Sequence, residues 1–166
     1  RELNATGGDT SDHDFVASLP AALERLEVGG GYTDAFCTAV RQHLTSLRHL
    51  CVAACYRITD AGLAELCAMP SLRVLDMRQM RGLTAASIDT LMRAVQLEEL
   101  DVRHCDFVTA EHVFQLRRTL PKLTGIQSNF TDEQVAAAEH LPDPVQVRTK
   151  EQIYALPAGT RNVLAS

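Results

Sequence analysis

Two aspartates at matching places in neighbouring segments are the residues best spaced to act as a catalytic pair. Asp76 and Asp101 are 25 residues apart, and each is followed two residues later by an arginine, Arg78 or Arg103. If the two segments form adjacent parallel strands, the carboxylates lie about 5 Å apart, a spacing that suits paired catalytic carboxylates. The arginines on the same face would keep both aspartates ionised, whereas a proton donor needs a raised pKa. We therefore predict a ladder of alternating charge and no acid–base pair.

Five cysteines are the next candidates for chemistry, at positions 37, 51, 55, 67 and 105. A zinc site needs ligands that converge tetrahedrally on one point. Cys55 and Cys105 fall in segments two strands apart, so roughly 10 Å would separate them, too far to share a metal or a disulfide. The odd number of cysteines favours small, buried, reduced thiols in an intracellular, reducing compartment. We predict neither a metal nor another cofactor.

A histidine beside a cysteine raises a third chemical alternative, because His104 adjoins Cys105. Nucleophilic catalysis needs a base within hydrogen-bonding reach of the nucleophile, and the sequence places no such pair. We therefore predict a protein that is not an enzyme and has no small-molecule substrate.

These residues belong to a pattern that repeats along most of the chain. A leucine ladder, Leu-x-x-Leu-x-aliphatic, occupies residues 47–52, 72–77 and 97–102, with a step of 25 residues each time. Weaker copies begin at Leu23 and Leu123, which gives five units, and Val145-x-Val147 is a degenerate sixth copy. A fixed period of this length indicates one small structural unit used repeatedly.

Each unit changes its apolar period halfway, which predicts a strand followed by a helix. Leu75-x-Met77 alternates by two, as in a short strand, whereas residues 58–66 repeat apolar side chains at helical spacing. Thr59 is a good helix N-cap, and Asp60 adds negative charge near the positive end of the helix dipole. Stacked units of this kind bury their apolar edges by forming a parallel sheet with helices on its outside.

The best copy of the unit, residues 47–66, reads LRHLCVAACYRITDAGLAEL. It resembles the cysteine-containing leucine-rich repeat, roughly L-x-x-L-x-L-x-x-C-x-x-[IV]-T-D-x-G-L-x-x-L, with Cys55 and Gly62 at the cysteine and glycine positions. The third unit departs from this pattern, with Met80 in place of cysteine and Ala85 in place of aspartate.

The resemblance covers about residues 19–140 and implies an α/β fold. That fold would be a right-handed, open solenoid of five to six leucine-rich repeats with a parallel concave sheet and outer helices. The family is best known from the substrate-binding parts of F-box proteins, which are receptors of ubiquitin ligases, and its repeat also occurs in scaffolds and subunits of large assemblies. The resemblance thus implies a protein–protein interaction module. We predict a scaffold or structural subunit of a multiprotein complex, with the substrate-recognition domain of an F-box-type ubiquitin ligase as the alternative.

Three segments follow from the pattern. Residues 1–18 are mostly polar and are expected to form an N-terminal tail, residues 19–141 form the repeat domain, and residues 142–166 break the period. A solenoid needs its open end covered, so the last segment is expected to be a degenerate repeat or C-terminal cap. Leu19-Pro20 resembles the start of an F-box, but a glycine-rich repeat turn follows it at residues 29–31, and we predict no F-box here.

The composition restricts the partners to proteins. The chain has 166 residues, about one domain by length, and a net charge of −5 at pH 7, which argues against general affinity for nucleic acid. No apolar run approaches the length of a transmembrane segment. The chain begins at Arg1, so a removed targeting presequence stays compatible with it. We expect a cytoplasmic protein, with the mitochondrion as the second compartment.

The strand side chains that alternate with the ladder leucines are expected on the exposed face of the sheet, the usual docking surface of such folds. One row across the units is Glu27, Cys51, Asp76, Asp101 and Gln127, and the row before it is Arg25, His49, Val74, Glu99 and Gly125. The charged members predict a partner-binding site made of Glu27, Asp76, Arg78, Glu99, Asp101 and Arg103.

Overall fold

The computed structural model describes residues 2–6 and 12–138. Over these residues strands and helices alternate along the chain, and six strands form one parallel sheet in sequence order. The strands are β1 (Glu2–Thr6), β2 (Arg25–Gly29), β3 (His49–Cys51), β4 (Val74–Asp76), β5 (Glu99–Asp101) and β6 (Gly125–Gln127). The helices are α1 (Asp12–Ala17), α2 (Asp34–His43), α3 (Asp60–Cys67), α4 (Ala86–Leu91), α5 (Ala110–Thr119) and α6 (Asp132–Ala137). The predicted α/β class with a parallel sheet is confirmed.

The ladder leucines set the register of this sheet. Leu26 lies opposite Leu50, Leu50 opposite Leu75, and Leu75 opposite Leu100, and all four side chains are buried in the core. Successive side chains of a strand point to opposite faces, so a slip of one residue would turn this apolar row to the other face. The row therefore fixes which side chains face the helices and which remain on the other face.

The N-terminal tail predicted for residues 1–18 is wrong. Glu2–Thr6 form β1, which pairs in parallel with β2 along its whole length, and Asp12–Ala17 form α1. The polar composition misled the prediction because a strand gains its ladder bonds from the backbone. Two apolar residues then suffice to dock the short helix, since Val16 is fully buried and Phe15 packs against the same core. The predicted C-terminal cap at residues 142–166 lies outside the described residues.

A series of aspartates ties the start of each early helix to the helix before it. Asp34 accepts hydrogen bonds from the backbone N–H of Thr59 at 2.7 Å and from the Thr59 hydroxyl at 2.7 Å. The Thr59 hydroxyl in turn accepts the N–H of Ala61 and caps α3. The equivalent pairs are Asp12 with Thr33 and Asp60 with Thr84. Each aspartate thus belongs to one helix and stabilises the cap of the next.

A glycine makes room for the central member of this series. A Cβ at Gly62 would lie 2.3 Å from Oδ1 of Asp34, so a larger residue would displace the carboxylate from Thr59. The corresponding position of the next unit holds Ser87, whose buried hydroxyl donates to Asp60. The crossing cap is therefore formed in two ways, with a glycine that leaves room for the carboxylate of Asp34 and with a serine that bonds to the carboxylate of Asp60.

The series stops where alanine replaces aspartate, and local caps take over. Ala85 and Ala110 occupy the aspartate positions of the third and fourth units. At the start of α5, one unit after Ala85, the N–H of Thr109 donates to Nδ1 of His112 at 3.2 Å, and the Thr109 hydroxyl accepts the N–H of His112 at 3.2 Å. At the start of α6, one unit after Ala110, Thr131 and Gln134 form the same reciprocal pair. Both are capping boxes, which satisfy the helix starts that no neighbouring carboxylate reaches.

Replacing Asp34 with alanine should lower the free energy of unfolding by about 1–2 kcal/mol, because the cap of α3 loses two partners. Urea denaturation measures this change. Asp106→Ala is the matched control at an exposed position and should stay within about 0.5 kcal/mol of the parent. Equal effects of the two substitutions would contradict a capping role for Asp34.

A second prediction concerns pH, because the capping box of α5 requires a neutral histidine whose Nδ1 accepts a hydrogen bond. Burial lowers the pKa of His112 from 6.5, although a hydrogen bond to the Phe107 backbone and the charge of Asp89 act to raise it. The unfolded chain takes up this proton at a higher pH than the folded chain does. The contribution to stability is thus fully present above about pH 7 and declines as the pH falls through roughly 6.5.

His112→Gln should reduce this decline, because glutamine keeps the capping box, as Gln134 does in the next unit, and does not titrate. Urea unfolding between about pH 7.5 and pH 5.5 tests the difference in slope. A smaller dependence of the unfolding free energy on pH should remain, because burial and, to a lesser extent, the charge of Arg25 also lower the pKa of His49. A slope unchanged in His112→Gln would show that this histidine does not titrate with folding.

Candidate functional site

The face of the sheet that the six described helices leave uncovered forms a groove of about 510 Å³, which we name the open face. Side chains that alternate with the buried leucines line it. All six residues of the predicted site line this groove: Glu27, Asp76, Arg78, Glu99, Asp101 and Arg103. The structure therefore brings together residues from three units of the sequence, the first, third and fourth.

The predicted rows across the open face are confirmed by the strand pairing. Glu27 lies opposite Cys51, Cys51 opposite Asp76, and Asp76 opposite Asp101. Neighbouring strands are about 4.8 Å apart in the hydrogen-bonding direction. Equivalent side chains of successive units are consequently neighbours, and charged side chains on adjacent strands interact.

The guanidinium groups of Arg78 and Arg103 each bind one central aspartate through two nitrogen atoms. Arg103 donates to Asp101 through Nε at 3.0 Å and Nη2 at 2.7 Å, and Arg78 binds Asp76 through Nε at 2.9 Å and Nη2 at 2.7 Å. The backbone N–H of each arginine also donates to the same carboxylate. Arg78 Nε lies 3.5 Å from Asp101 Oδ2 as well, so the two pairs form one network across β4 and β5.

The carboxylates of this network lie beneath the guanidinium groups. The side chains of Asp76 and Asp101 are 15% and 12% exposed, against 40% and 39% for Arg78 and Arg103. A molecule that approaches this part of the open face therefore meets guanidinium groups first. The aspartates hold those groups in place and present little surface of their own.

The pKa of Asp76 opposes acid–base catalysis by this carboxyl group. Burial by itself would raise the pKa of Asp76, but hydrogen bonds from Arg78, the charge of Arg78 and a hydrogen bond from Cys51 bring it below its ordinary value. The hydrogen bond to Asp76 and its charge raise the pKa of Arg78. A carboxyl group with a lowered pKa is ionised near neutrality and is a poor proton donor.

Six groove residues were placed in rows from the sequence but not included in the predicted site, and three of them, on β2 and β3, are polar side chains beside the predicted site. Arg25 donates to Glu27 through Nη2 at 2.8 Å, and His49 and Cys51 occupy β3 between this pair and the central network. The signal for Arg25 was its spacing of two residues from Glu27, the same spacing that joins each central aspartate to its arginine. The open face thus carries ion pairs on β2, β4 and β5.

The five cysteines are all free thiols, and four of them are buried. Within residues 2–6 and 12–138, no group of three or more histidine, cysteine, aspartate or glutamate side chains is arranged to hold a metal ion. Cys51, the half-buried one, donates its thiol proton to Oδ2 of Asp76 at 3.4 Å. Burial, together with the nearby Asp76 carboxylate, raises the pKa of Cys51, which favours the thiol over the reactive thiolate.

His104 and Cys105 have separate environments. The buried thiol of Cys105 donates to the backbone carbonyl of Met77 at 3.0 Å, and burial raises its pKa. His104 is exposed and has a left-handed backbone with φ of 58°. The same turn follows the strands of the earlier units, at Gly30, Ala54 and Gln79. The histidine therefore occupies a structural turn of the repeat.

Comparison of the sequence with protein-family models and with curated proteins gives no match. The resemblance to the leucine-rich repeat consequently stays a prediction from the residues that carry it. Over the described part of the chain, none of the helices has the length and apolar character needed to cross a membrane.

The cysteine environments predict an ordered thiol reactivity. A disulfide reagent such as DTNB should modify Cys51 first in the folded protein, because its thiol is the most accessible of the five, and the rate should rise with pH as the thiolate forms. Cys51→Ser should remove the fast phase. Cys67→Ser, at a buried position, should leave it intact, and loss of the fast phase in this control would contradict the assignment.

Proposed function

We propose that this protein is a non-catalytic protein–protein interaction module, built as an open leucine-rich-repeat solenoid whose concave surface is the open face. The observation that carries the proposal is the hydrogen-bonded network of Asp76, Arg78, Asp101 and Arg103 in the groove of the open face. Such a network is costly to build, because partly buried ions lose hydration. Its position on a face that the described helices leave uncovered supports a role in binding.

The charge balance of the groove supports a protein partner over a nucleic acid. Three arginines stand against four carboxylates: Arg25, Arg78 and Arg103 against Glu27, Asp76, Glu99 and Asp101. Binding to a phosphate backbone depends on a surplus of basic side chains that replace condensed counterions. A nearly balanced surface, on a chain with net charge −5, instead suits a partner with its own pattern of polar groups.

Within this class we place the protein as a scaffold or structural subunit of an intracellular multiprotein complex. The lowered pKa of Asp76 supports a binding role over proton transfer for this carboxylate. Free cysteines that are mostly buried are typical of proteins from a reducing compartment.

The experiment is affinity capture with crosslinking from an extract of the native source, with the parent protein and an open-face variant compared quantitatively. The variant carries Asp76→Asn, Arg78→Gln, Asp101→Asn and Arg103→Gln together. Replacing both members of each pair avoids leaving a partly buried charge alone, which reversal of the arginines to glutamate would do. We expect recovery of the specific partner to fall by roughly tenfold or more, because arginines are frequent interface hot spots.

The control is Arg93→Gln, at an exposed position just after α4, which should leave recovery unchanged. If Arg93→Gln abolishes capture and the open-face variant does not, the partner docks on the helices. Recovery of ubiquitin-ligase subunits with the parent protein would favour the ligase alternative over a structural subunit.

A further inference from the structure

We infer that the open face selects an acidic protein segment, whose aspartate or glutamate carboxylates bind the outward edges of Arg78 and Arg103. The inference rests on the proposed function and names the chemistry of its partner. It follows from which atoms of the network are already bonded, which remain accessible, and how far apart the accessible ones lie.

Arg103 uses only one edge of its guanidinium group within the described protein, and Arg78 uses the same edge and also contacts the Cys51 side chain. Nε and Nη2 of Arg78 and Arg103 face Asp76 and Asp101. Over residues 2–6 and 12–138, Nη1 of Arg103 makes no hydrogen bond to the protein. A guanidinium group has five N–H donors and no acceptor, so the groups left for a partner are donors. The partner must supply acceptor oxygens.

The accessible surface of Arg78 and Arg103 disfavours a basic partner directly above them, although the exposed Glu99 lines the same groove. A lysine or arginine from a partner would meet guanidinium groups that are 40% and 39% exposed before it reached carboxylates that are 15% and 12% exposed. Bringing like charges together costs free energy, and burying them raises that cost. A carboxylate meets the arginines directly and accepts two parallel N–H bonds from a guanidinium edge.

The spacing of the two arginines fits acidic side chains on one side of a helix. Arg78 and Arg103 follow paired residues on β4 and β5, and neighbouring strands are about 4.8 Å apart. Residues three or four apart on a helix have Cβ atoms about 5–6 Å apart. One turn of a partner helix, lying across the strands, therefore places one carboxylate over each arginine.

Asp76 and Asp101 act here as positioning residues. Each holds its arginine through the side chain and through the backbone N–H, so the guanidinium groups lose little further freedom when a partner docks. The aspartates also cancel much of the long-range charge. Recognition then depends on short bonds to fixed donors, which a lysine would not reproduce because its ammonium group has no planar fork.

The test is selection of random peptides displayed on phage against the intact protein, followed by affinity measurement with synthetic versions of the enriched peptides. We expect enrichment of aspartate and glutamate in pairs three or four residues apart. Replacing both acids of a pair with glutamine should weaken binding by about tenfold or more. The variant Arg78→Lys/Arg103→Lys, which keeps the charge, should weaken binding to a similar degree, whereas Arg93→Lys should not.

Three results would overturn the inference, and they separate it from the proposed function. Enriched peptides that are neutral or basic, and that lose binding with the four-residue open-face variant, would refute the acidic partner and leave the interaction module standing. No enrichment, or peptides that bind the parent protein and the open-face variant equally well, would refute both the acidic partner and the interaction module. Tighter binding of a single-stranded oligonucleotide than of any acidic peptide, lost in Arg78→Lys/Arg103→Lys, would assign the arginines to phosphate.

Discussion

The alignment of buried leucines across adjacent strands is the constraint on which the rest of the structure depends. Because side chains of a strand alternate between two faces, fixing Leu50 opposite Leu75 and Leu75 opposite Leu100 also fixes every residue between them. Asp76 and Asp101 are neighbours only because their preceding leucines are. The apolar core and the charged open face are therefore two consequences of one register.

Between α4 and α5 the contact between neighbouring helices is weak, although the sheet continues through β4 and β5. Asp12, Asp34 and Asp60 link the first helices through caps that cross between units, and this series ends at Ala85. At the same place α4 and α5 pack together less closely than the helix pairs before and after them, while β4 and β5 remain paired. On the open face, the contact of Arg78 with Asp101 crosses this boundary. The charged network thus joins the two parts of the chain that the helix caps leave unlinked.

The aspartates of the open face show how stability and presentation are combined. A carboxylate with little exposure loses hydration, and a bidentate arginine and a backbone N–H offset that loss. The same bonds fix the orientation of the arginine, whose outer edge remains in solvent. An unpaired arginine at this position would keep its hydration but would adopt many rotamers, and ordering them on binding costs free energy. In the paired arrangement the arginine side chain loses its conformational entropy on folding, so little of that loss remains for binding.

The sequence by itself determined the strand–helix unit, the 25-residue register, the rows across the sheet and the good cap at Thr59. These features follow from local periods and from residues within a few positions of one another. Only the tertiary structure decided that Asp34 caps the next helix, that Asp76 and Asp101 lie beneath their arginines, and that Glu2–Thr6 and Asp12–Ala17 form a strand and a helix. These features depend on groups in another unit or on the depth of burial, and neither is encoded in a local spacing. The pair of Thr109 and His112 is local, but the structure shows that it forms where Ala85 offers no carboxylate to the next cap.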